Sequence, residues 1–246
     1  MKDNFSAQAS AYARHRPTYP AALYDFLYAH VPAFGYAWDC ATGNGQVARR
    51  LAERFRVVLA TDISAAQIEN AKPHDHIQYR VAPAEHGGLP DGVCDLITVG
   101  QAAHWFDRPA FYAEAKRCLK QGGLLAIFGY KLPTIDPPTD KLLHHLYDGV
   151  LGDYWDPERR FVDEGYIGFD FPFPEIAFPD LHMEALWNAS DLTGFLESWS
   201  ATQHFIRRER KSPLNDDFRL SLAECWPEGV EKTVRFPMFG RAGVWQ

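Results

Sequence analysis

The sequence predicts an α/β fold built on an open, doubly wound, mostly parallel sheet. Short apolar segments of strand length alternate with helical patterns five times between residues 36 and 129. The second segment, Arg56–Asp62, contains the uninterrupted apolar run expected of a strand covered on both faces. Alternation of strands and helices favours parallel strands joined by right-handed crossovers.

The first half of the chain divides into five strand–helix units. The expected strands cover residues 36–40, 56–62, 77–82, 95–99 and 124–129. Ser64 and Gln67 have the spacing of a capping box at the start of the helix Ala65–Ala71. Asp107 precedes a helix that we expect to bury its Phe111 and Ala115 face.

The second half breaks this rhythm. Residues 131–180 are rich in proline and large aromatic side chains, with one helical pattern at about Thr139–Leu151. So many large apolar residues indicate an ordered insertion after strand five, over the edge of the sheet or the crevice, rather than a disordered linker. Beyond it we expect two strands, at residues 182–187 and 233–239, and two helices, at residues 191–199 and 216–225. A single domain spanning residues 1–246 accommodates all of these elements.

Composition and charge exclude several classes of function. Of the 246 residues, 46% are hydrophobic and 23% are charged, as is ordinary for a globular protein. No apolar run is long enough to span a bilayer, and the N-terminus lacks the apolar core of a signal peptide. The four cysteines are scattered, which predicts reduced thiols and a cytoplasmic location. The net charge of −7, without a long basic tract, argues against nucleic acid as a partner. No metal is expected, because the pairs His74/His76 and His144/His145 lack a clustered third ligand, and the sequence indicates no oligomeric state.

A glycine-bearing turn joins the first strand to its helix. Gly43 and Gly45 allow the main chain to turn and a ligand to approach it closely, at a helix N-terminus with unpaired N–H groups. Asp39, at the end of the strand, is placed to reach a cationic group of that ligand. Together with Ala48 the two glycines also fit the G-x-G-x-x-A pattern of dinucleotide enzymes. A tight turn without any ligand is the structural alternative.

Polar residues follow several strands, and the carboxyl ends of parallel strands share one edge of the sheet. Asp62 is placed to accept both ribose hydroxyls of an adenosine, or else it merely leads into a helix. Ala84 and Glu85 follow strand three, where a main-chain N–H and a carboxylate can meet an adenine edge; Glu85 also suits a solvated loop. The residues expected to converge are Asp39, Gly43, Gly45, Asp62, Ala84, Glu85, Gln101 and His104. The ligand is therefore an adenosine compound, either NAD or S-adenosylmethionine.

These motifs, taken together, resemble the class I S-adenosylmethionine-dependent methyltransferases over nearly the whole chain. The resemblance is to the small-molecule group that includes trans-aconitate methyltransferase-like proteins. It depends on the opening segment Phe5–Pro20, the Asp39-x-x-x-Gly43-x-Gly45 turn, the Asp62 strand end, and segments 84–96, 104–106, 122–123 and 154–160. One departure is at position 41, where many members have glycine or another small residue, a pattern that Ala41 fits loosely.

The resemblance implies a Rossmann-like methyltransferase fold with seven strands, the last antiparallel at the sheet edge. It also implies that residues 1–20 form a lid over the cofactor, S-adenosyl-L-methionine. The expected cofactor-binding residues are Tyr12, Arg16, Asp39, Ala41, Gly43, Gly45, Asp62, Ile63, Ala84, Glu85 and Gln101.

The acceptor side is expected beneath the insertion, which acts as a substrate-side cap for a small molecule. His104 is the candidate general base for an acceptor that has a proton to lose; its alternative role is packing or orienting the substrate. Trp105, Trp155, Arg159 and Arg160 are the candidate substrate residues. The planar guanidinium groups suit a carboxylate.

Three other functions are compatible with parts of this pattern. Tyr112 and Lys116 have the spacing of the pair found in NAD(P)-dependent oxidoreductases, but they lie on a helix expected to pack and follow the glycine turn too closely. Methyltransferases that act on nucleic-acid amines tend to have an Asn/Asp-Pro-Pro-aromatic segment where this chain has residues 100–103. A non-catalytic S-adenosylmethionine-binding regulatory protein remains an alternative.

Overall fold

The structure of the protein, a computed structural model, describes residues 17–246. Tyr12 and Arg16, with most of the expected lid segment, lie outside the described residues. Within residues 17–246 no helix is long and apolar enough to cross a membrane, and no group of three or more His, Cys, Asp or Glu side chains is arranged to hold a metal ion. All four cysteines are free.

Five parallel strands form the main part of the sheet, as predicted. In chain order they are β1 Tyr36–Cys40, β2 Val57–Asp62, β3 Ile77–Val81, β4 Cys94–Gly100 and β5 Leu119–Tyr130. Their order across the sheet is β3-β2-β1-β4-β5. This order reverses between β1 and β4, which is the point where doubly wound sheets bind ligands.

The far edge of the sheet has the expected antiparallel strand, and the sheet has one strand more than the expected seven. The sheet has eight strands: β6 Glu175–Ile176, β7 His182–Trp187 and β8 Lys232–Val244 complete it. β8 is almost twice as long as predicted, because its first half pairs with β7 and its second half pairs with β5 and β6. β8 is thus the expected antiparallel strand next to β5, and β6 and β7 pair with it.

Nine α-helices lie among the described residues. They are α1 Ala21–Ala29, α2 Gln46–Leu51, α3 Ala65–Glu69, α4 Arg108–Cys118, α5 Pro137–His144, α6 Arg159–Asp163, α7 Ala189–Glu197, α8 Ser200–Glu209 and α9 Asp216–Cys225.

Capping side chains explain why two of these helices begin earlier than predicted. α5 starts after Asp136, whose carboxylate accepts from the N–H of Thr139 at 3.0 Å, and a π-helical turn replaces the expected α-helix over His145–Val150. α7 starts after Asn188, which forms a capping box with Asp191.

Alternate residues of each central strand face two separate hydrophobic cores, as a sheet covered on both sides requires. Ala37 of β1 belongs to one core, with α1, α2 and the C-terminal helices. Trp38 belongs to the other, with α4. The insertion contributes to both, with Leu146 in the first core and Tyr166 in the second. It is therefore an ordered part of the fold, as its composition predicts.

A buried carboxylate fastens the amino-terminal ends of three strands. The Asp95 side chain of β4 accepts from the N–H groups of Gly35 and Tyr36, each at 2.9 Å, and its other oxygen lies 2.6 Å from Lys120 Nζ of β5. Asp95 is fully buried, and its three donors compensate for the loss of water around the carboxylate. The carboxylate thereby fixes the entry to β1 against β4 and β5.

We expect Asp95→Ala to lower the free energy of unfolding by about 2–4 kcal/mol, since it leaves two half-buried N–H groups without an acceptor and Lys120 without its ion-pair partner. Asp91→Ala is the control: Asp91 pairs with Arg117 at 2.5 Å but its side chain is 83% exposed, and an exposed pair contributes less than about 1 kcal/mol. Urea unfolding of both variants checks the difference. Equal losses would contradict this role for Asp95.

Candidate functional site

A cleft opens where the order of the strands reverses, at the carboxyl ends of β1 and β4. It encloses about 660 Å³, part of it open to solvent. Its walls come from the chain before α1, the turn after β1, the start of α2, and the ends of β4 and β5. The lining residues are Pro17, Tyr19, Asp39, Ala41, Thr42, Gly43, Asn44, Gln46, Val47, Gly100, Gln101 and Tyr130.

Both glycines of the predicted turn adopt the left-handed conformation, with φ of 57° at Gly43 and 85° at Gly45. They differ in what surrounds them. A Cβ at Gly45 would lie 2.4 Å from the Tyr79 hydroxyl, whereas a Cβ at Gly43 would find nothing closer than Gln67 Oε1, at 3.9 Å. Gly45 is thus required by packing, and Gly43 leaves open space at the wall of the cleft.

Asp39 is the hydrogen-bonding centre of the site. It is 1% exposed, and its carboxylate accepts from Thr42 Oγ1 at 2.5 Å, Thr98 Oγ1 at 2.8 Å and the Ala48 N–H at 3.0 Å. Burial raises the pKa of Asp39 to about 6, although these three hydrogen bonds oppose the shift. The sequence predicted a carboxylate that reaches toward a ligand; in the structure it also fastens β1 to β4 and caps α2.

Asp62 joins the end of β2 to the glycine turn. Its Oδ2 accepts from the Gly43 N–H and its Oδ1 from the Ser64 N–H, both at 2.9 Å. A carboxylate accepts about four hydrogen bonds, so these two do not exhaust its capacity. Only half of the predicted capping box forms: the Gln67 N–H donates to Ser64 Oγ, but the Ser64 N–H donates to Asp62 instead of Gln67. Gln67 Oε1 therefore stays buried without a hydrogen-bond partner among residues 17–246.

The residues predicted for the adenine end lie further along the same sheet edge and do not line this cleft. Ile63, directly after β2, is half-buried, and Ala84, after β3, is fully buried. Glu85 Oε1 accepts from the N–H of Asp107 at 3.0 Å, so this acid is fastened to the start of α4. It is therefore not simply a solvated loop residue, which was the alternative left open by the sequence.

Gln101 lines the cleft, and its side chain has a structural role that the sequence did not indicate. Its Nε2 donates to the Tyr130 carbonyl at 3.2 Å and its Oε1 accepts from the Tyr130 N–H at 2.8 Å. The amide thus imitates one more residue of a strand beside β5. Gly129 makes room for it, since a Cβ there would lie 2.1 Å from Gln101 Oε1.

His104 follows β4 in a 3₁₀ turn, Ala103–Trp105, and is 6% exposed. Its ring lies 4.7 Å from the Trp105 ring, and its Nδ1 lies 3.1 Å from the Tyr166 hydroxyl. Tyr166 belongs to the insertion, which confirms that the insertion reaches the segment after β4. No feature of the sequence marked Tyr166 apart from its place among other aromatic residues.

The two arginines of the insertion do not point to one place, contrary to the expected pair. Arg159 stacks on Trp155, with Cζ 4.8 Å from the ring centroid, and donates from Nε to the Tyr147 hydroxyl at 2.7 Å. Arg160 is exposed and stacks on Phe161. Neighbouring residues of a helix point about 100° apart. In this arrangement the two guanidinium groups cannot both donate to one carboxylate.

The cleft contains aromatic residues that the sequence analysis did not assign. Tyr19 packs edge-on against Phe128 with ring centroids 5.0 Å apart, and its hydroxyl lies 3.1 Å from where a Cβ of Gly100 would be. Tyr130 forms another part of the wall. In the sequence, only the position of Tyr19 beside Pro20 in the predicted lid indicated that it could line the cleft.

Comparison with known proteins agrees with this geometry. The methyltransferase domain family matches residues 38–127. A methyltransferase of Dictyostelium discoideum is 37% identical over 245 residues, covering 96% of this chain and 93% of its own. The structure of a type II methyltransferase from Anaeromyxobacter dehalogenans superposes with a TM-score of 0.86 at 40% identity, covering 93% of this chain and 97% of that one. The YcgJ protein from Bacillus subtilis, at a TM-score of 0.54 and 16% identity, shares the fold.

This chain belongs to the class I S-adenosylmethionine-dependent methyltransferases. It is accordingly a methyltransferase with the Rossmann-like fold of that class. Of the two adenosine ligands left open by the sequence, S-adenosylmethionine is the cofactor.

We expect Gly43→Ala to weaken S-adenosylmethionine binding at least tenfold, because the added methyl group enters the wall of the cleft. Gly92→Ala is a matched control: both glycines have a φ of 57°, and a Cβ at Gly92 meets nothing within 4 Å. Both variants lose about 1 kcal/mol of stability, the cost of a left-handed alanine. Calorimetric titration separates the two effects. Equal affinities in the two variants would show that Gly43 does not border the cofactor.

We also expect S-adenosylmethionine affinity to fall about tenfold as the pH drops from 7 to 5. Asp39 has a pKa of about 6, so only about one-tenth of the unliganded protein carries the ionised carboxylate at pH 5, and a cationic ligand favours that form. Because folding raises this pKa, the folded protein binds the Asp39 proton more tightly than the unfolded chain does. Asp39 therefore adds to the free energy of unfolding at pH below about 4, and this contribution is lost as the pH rises through 6.

Titration calorimetry across this range, in wild type and Asp39→Asn, checks the affinity. The Asn variant has no carboxylate to titrate and should lose this pH dependence. The same slope in both proteins would assign the effect to another group.

Proposed function

We propose that this methyltransferase transfers a methyl group from S-adenosylmethionine to a small-molecule acceptor bound beneath the insertion. One observation supports this most strongly: residues of β1, β4 and β5 meet at one cleft, and Asp62 at the end of β2 accepts from the N–H of Gly43, which lines that cleft. The acceptor side is supported by the aromatic rings of Trp105 and Tyr166 beside His104, and by Arg159 stacked on Trp155 in the insertion.

The cofactor-binding residues divide into two groups along the sheet edge. Asp39, Ala41, Gly43 and the main chain of Gln101 would hold the amino-acid end, where the cleft is open. Asp62 would accept from the ribose hydroxyls, with Ile63 beside it, and Ala84 and Glu85 would border the base.

Two observations support the fit of the cofactor. Gly43 leaves an open cradle next to the cleft, and Gln67 Oε1 is a buried acceptor beside that cradle. The carboxylates of Asp39 and Asp62 bring negative charge to the edge where a cationic ligand would lie. An uncharged glycine turn without them would have no such preference.

S-adenosylmethionine supplies an electrophilic methyl group on a sulfonium sulfur, for in-line displacement by a nucleophilic atom. The residues around it need chiefly to position the acceptor and to exclude water. Trp105 and Trp155 would supply apolar surface, and His104, at the turn after β4, contacts Tyr166 of the insertion.

An acceptor with an anionic group suits Arg159 better than Arg160. The Arg159 side chain is 22% exposed and is stacked on Trp155 and Tyr147. Its Nε is used by Tyr147 and Asp163, whereas the two terminal amino groups make no hydrogen bond to any other residue that the structure describes. A planar pair of donors held in this way matches a carboxylate.

The activity test is a screen of labelled S-adenosylmethionine with small carboxylic acids, phenols and amines, with the Asp62→Ala protein as the cofactor-binding control. Label should pass to a small acceptor with wild type and much less with Asp62→Ala. Tight cofactor binding with no transfer to any acceptor would favour the non-catalytic alternative.

For an acidic acceptor, we expect Arg159→Gln to raise KM about tenfold or more, the cost of a lost charge-assisted pair of roughly 1.5–3 kcal/mol. Cofactor affinity should not change. Arg160→Gln removes the neighbouring, exposed charge and serves as the matched control, with little change in KM. Equal effects of the two substitutions, or equal losses for acidic and neutral acceptors, would remove Arg159 from acceptor recognition.

A further inference from the structure

A second cavity lies between α5, α8 and α9. It encloses about 840 Å³, part of it open to solvent, and it shares no lining residue with the cofactor cleft. Its apolar lining consists of five buried or half-buried side chains, Leu142, Leu146, Val150, Phe205 and Phe218. A concave surface with this lining suits the hydrocarbon part of a small molecule.

The wall of this cavity includes the π-helical turn His145–Val150, which supplies both Leu146 and Val150. The turn is closed by the Leu151 N–H, which donates to the Leu146 carbonyl, five residues back, at 2.9 Å. π-Helical turns are rare, and they occur frequently at functional sites. The irregular turn of the insertion thus coincides with the cavity.

Another part of the wall begins at Arg210, the residue that ends α8 with a φ of 57°. Glycine is the usual residue at a left-handed helix end, and a residue with a side chain adopts this conformation only at a cost. The turn takes the chain from α8 directly into Lys211, Ser212 and Pro213, which line the cavity. Strain of this kind persists where the surroundings require it, and it clusters at functional sites.

The rim of the cavity carries unneutralised positive charge where α8 ends. Lys211 lines the cavity and is exposed, and Arg207 and Arg210 are exposed just before it in the chain. None of these three side chains makes a hydrogen bond or an ion pair with any residue within 17–246. Asp217 is the one carboxylate among the lining residues that the structure describes. The charge around Lys211 is therefore available to an anion.

We propose that this cavity binds a small organic anion with an apolar tail, such as a medium-chain carboxylate. The tail would lie against the apolar lining, and the anionic group would lie at Lys211. Ser212 supplies a second donor there: its Oγ accepts from the Leu214 N–H at 3.1 Å, so the hydroxyl proton can be donated to the ligand. This binding is a property beyond methyl transfer and does not depend on the identity of the methyl acceptor.

Calorimetric titration of the full-length protein with octanoate tests the proposal. Octanoate should bind at a saturable site, and acetate should bind at least about a hundredfold more weakly, because it has no tail to remove from water. Octylammonium has the same tail with the opposite charge, and it should bind more weakly than octanoate. Absence of octanoate binding, or equal affinities for octanoate and octylammonium, would overturn the proposal.

Two substitutions at the rim test the role of charge in opposite directions. Lys211→Gln should weaken octanoate binding about fivefold, the effect of one exposed charge pair, whereas Asp217→Asn should strengthen it. Lys72→Gln is the matched control, because Lys72 is an exposed lysine between α3 and β3 that does not line the cavity. An equal loss in Lys211→Gln and Lys72→Gln would contradict recognition at this rim.

Ser221→Trp tests the cavity itself. Ser221 lines the cavity from an exposed position on α9, so the indole can fill the space without removing a core side chain, and octanoate affinity should fall at least about tenfold. Octanoate bound at the acceptor side instead would lose affinity in Arg159→Gln and keep it in Ser221→Trp, which would overturn the proposal. If Ser221→Trp does not fold, the two rim variants decide.

A membrane surface is the other possible source of an anionic group with an apolar tail. Sedimentation of the protein with phosphatidylserine vesicles distinguishes it from a free ligand. We expect the protein to remain in the supernatant. Vesicle binding that is lost in Lys211→Gln and is not displaced by octanoate would assign the rim to a lipid surface and overturn the proposal.

Discussion

The cofactor half of this protein depends on the carboxylate of Asp39. A buried charge is tolerated only when donors surround it, and here they come from the turn, from β4 and from the N-terminus of α2. Gly45 at the helix start has no side chain to cap α2, so Asp39 replaces that cap from the strand. Negative charge at a helix N-terminus is also favourable. One side chain therefore aligns the strand end, the glycine turn and the helix that together form the wall of the cleft.

Backbone strain is concentrated around the same site. Only four non-glycine residues of the described chain have a positive φ, and three of them, Ala41, Gln101 and Tyr166, lie in the cleft or against His104. Ala41 explains the one departure from the family pattern noted in the sequence: the position requires a left-handed backbone, which glycine adopts freely and alanine at a cost of about 1–2 kcal/mol. Two residues that line the cleft, Ala41 and Gln101, therefore adopt a left-handed backbone at the expense of local stability.

Sequence periodicity predicted the elements that depend on local pattern. It failed for features that depend on pairing between distant segments of the chain. The five parallel strands and α9 follow from apolar period and length, and Asp39 and Asp62 follow from their places at strand ends. The length of β8 could not be predicted, because it is set by three partner strands that pair with its two halves. The side chain of Gln101 was equally unpredictable: an amide that imitates a strand residue leaves no mark in the sequence except Gly129, one residue before its partner.

The segment after β4 links the two halves of the proposed reaction. Gln101 is fastened to Tyr130, the last residue of β5, and His104 is fastened to Tyr166, which lies in the insertion that directly follows β5. Gln101 and His104 both follow β4, whereas Asp39 and Asp62 belong to β1 and β2. Changes within the insertion would therefore reach His104 through Tyr166 while leaving the hydrogen bonds of the glycine turn intact. The residues that hold the glycine turn and those that hold His104 lie in the same sheet but make hydrogen bonds to different partners. This separation gives a physical reason why one cofactor cleft can serve different acceptors.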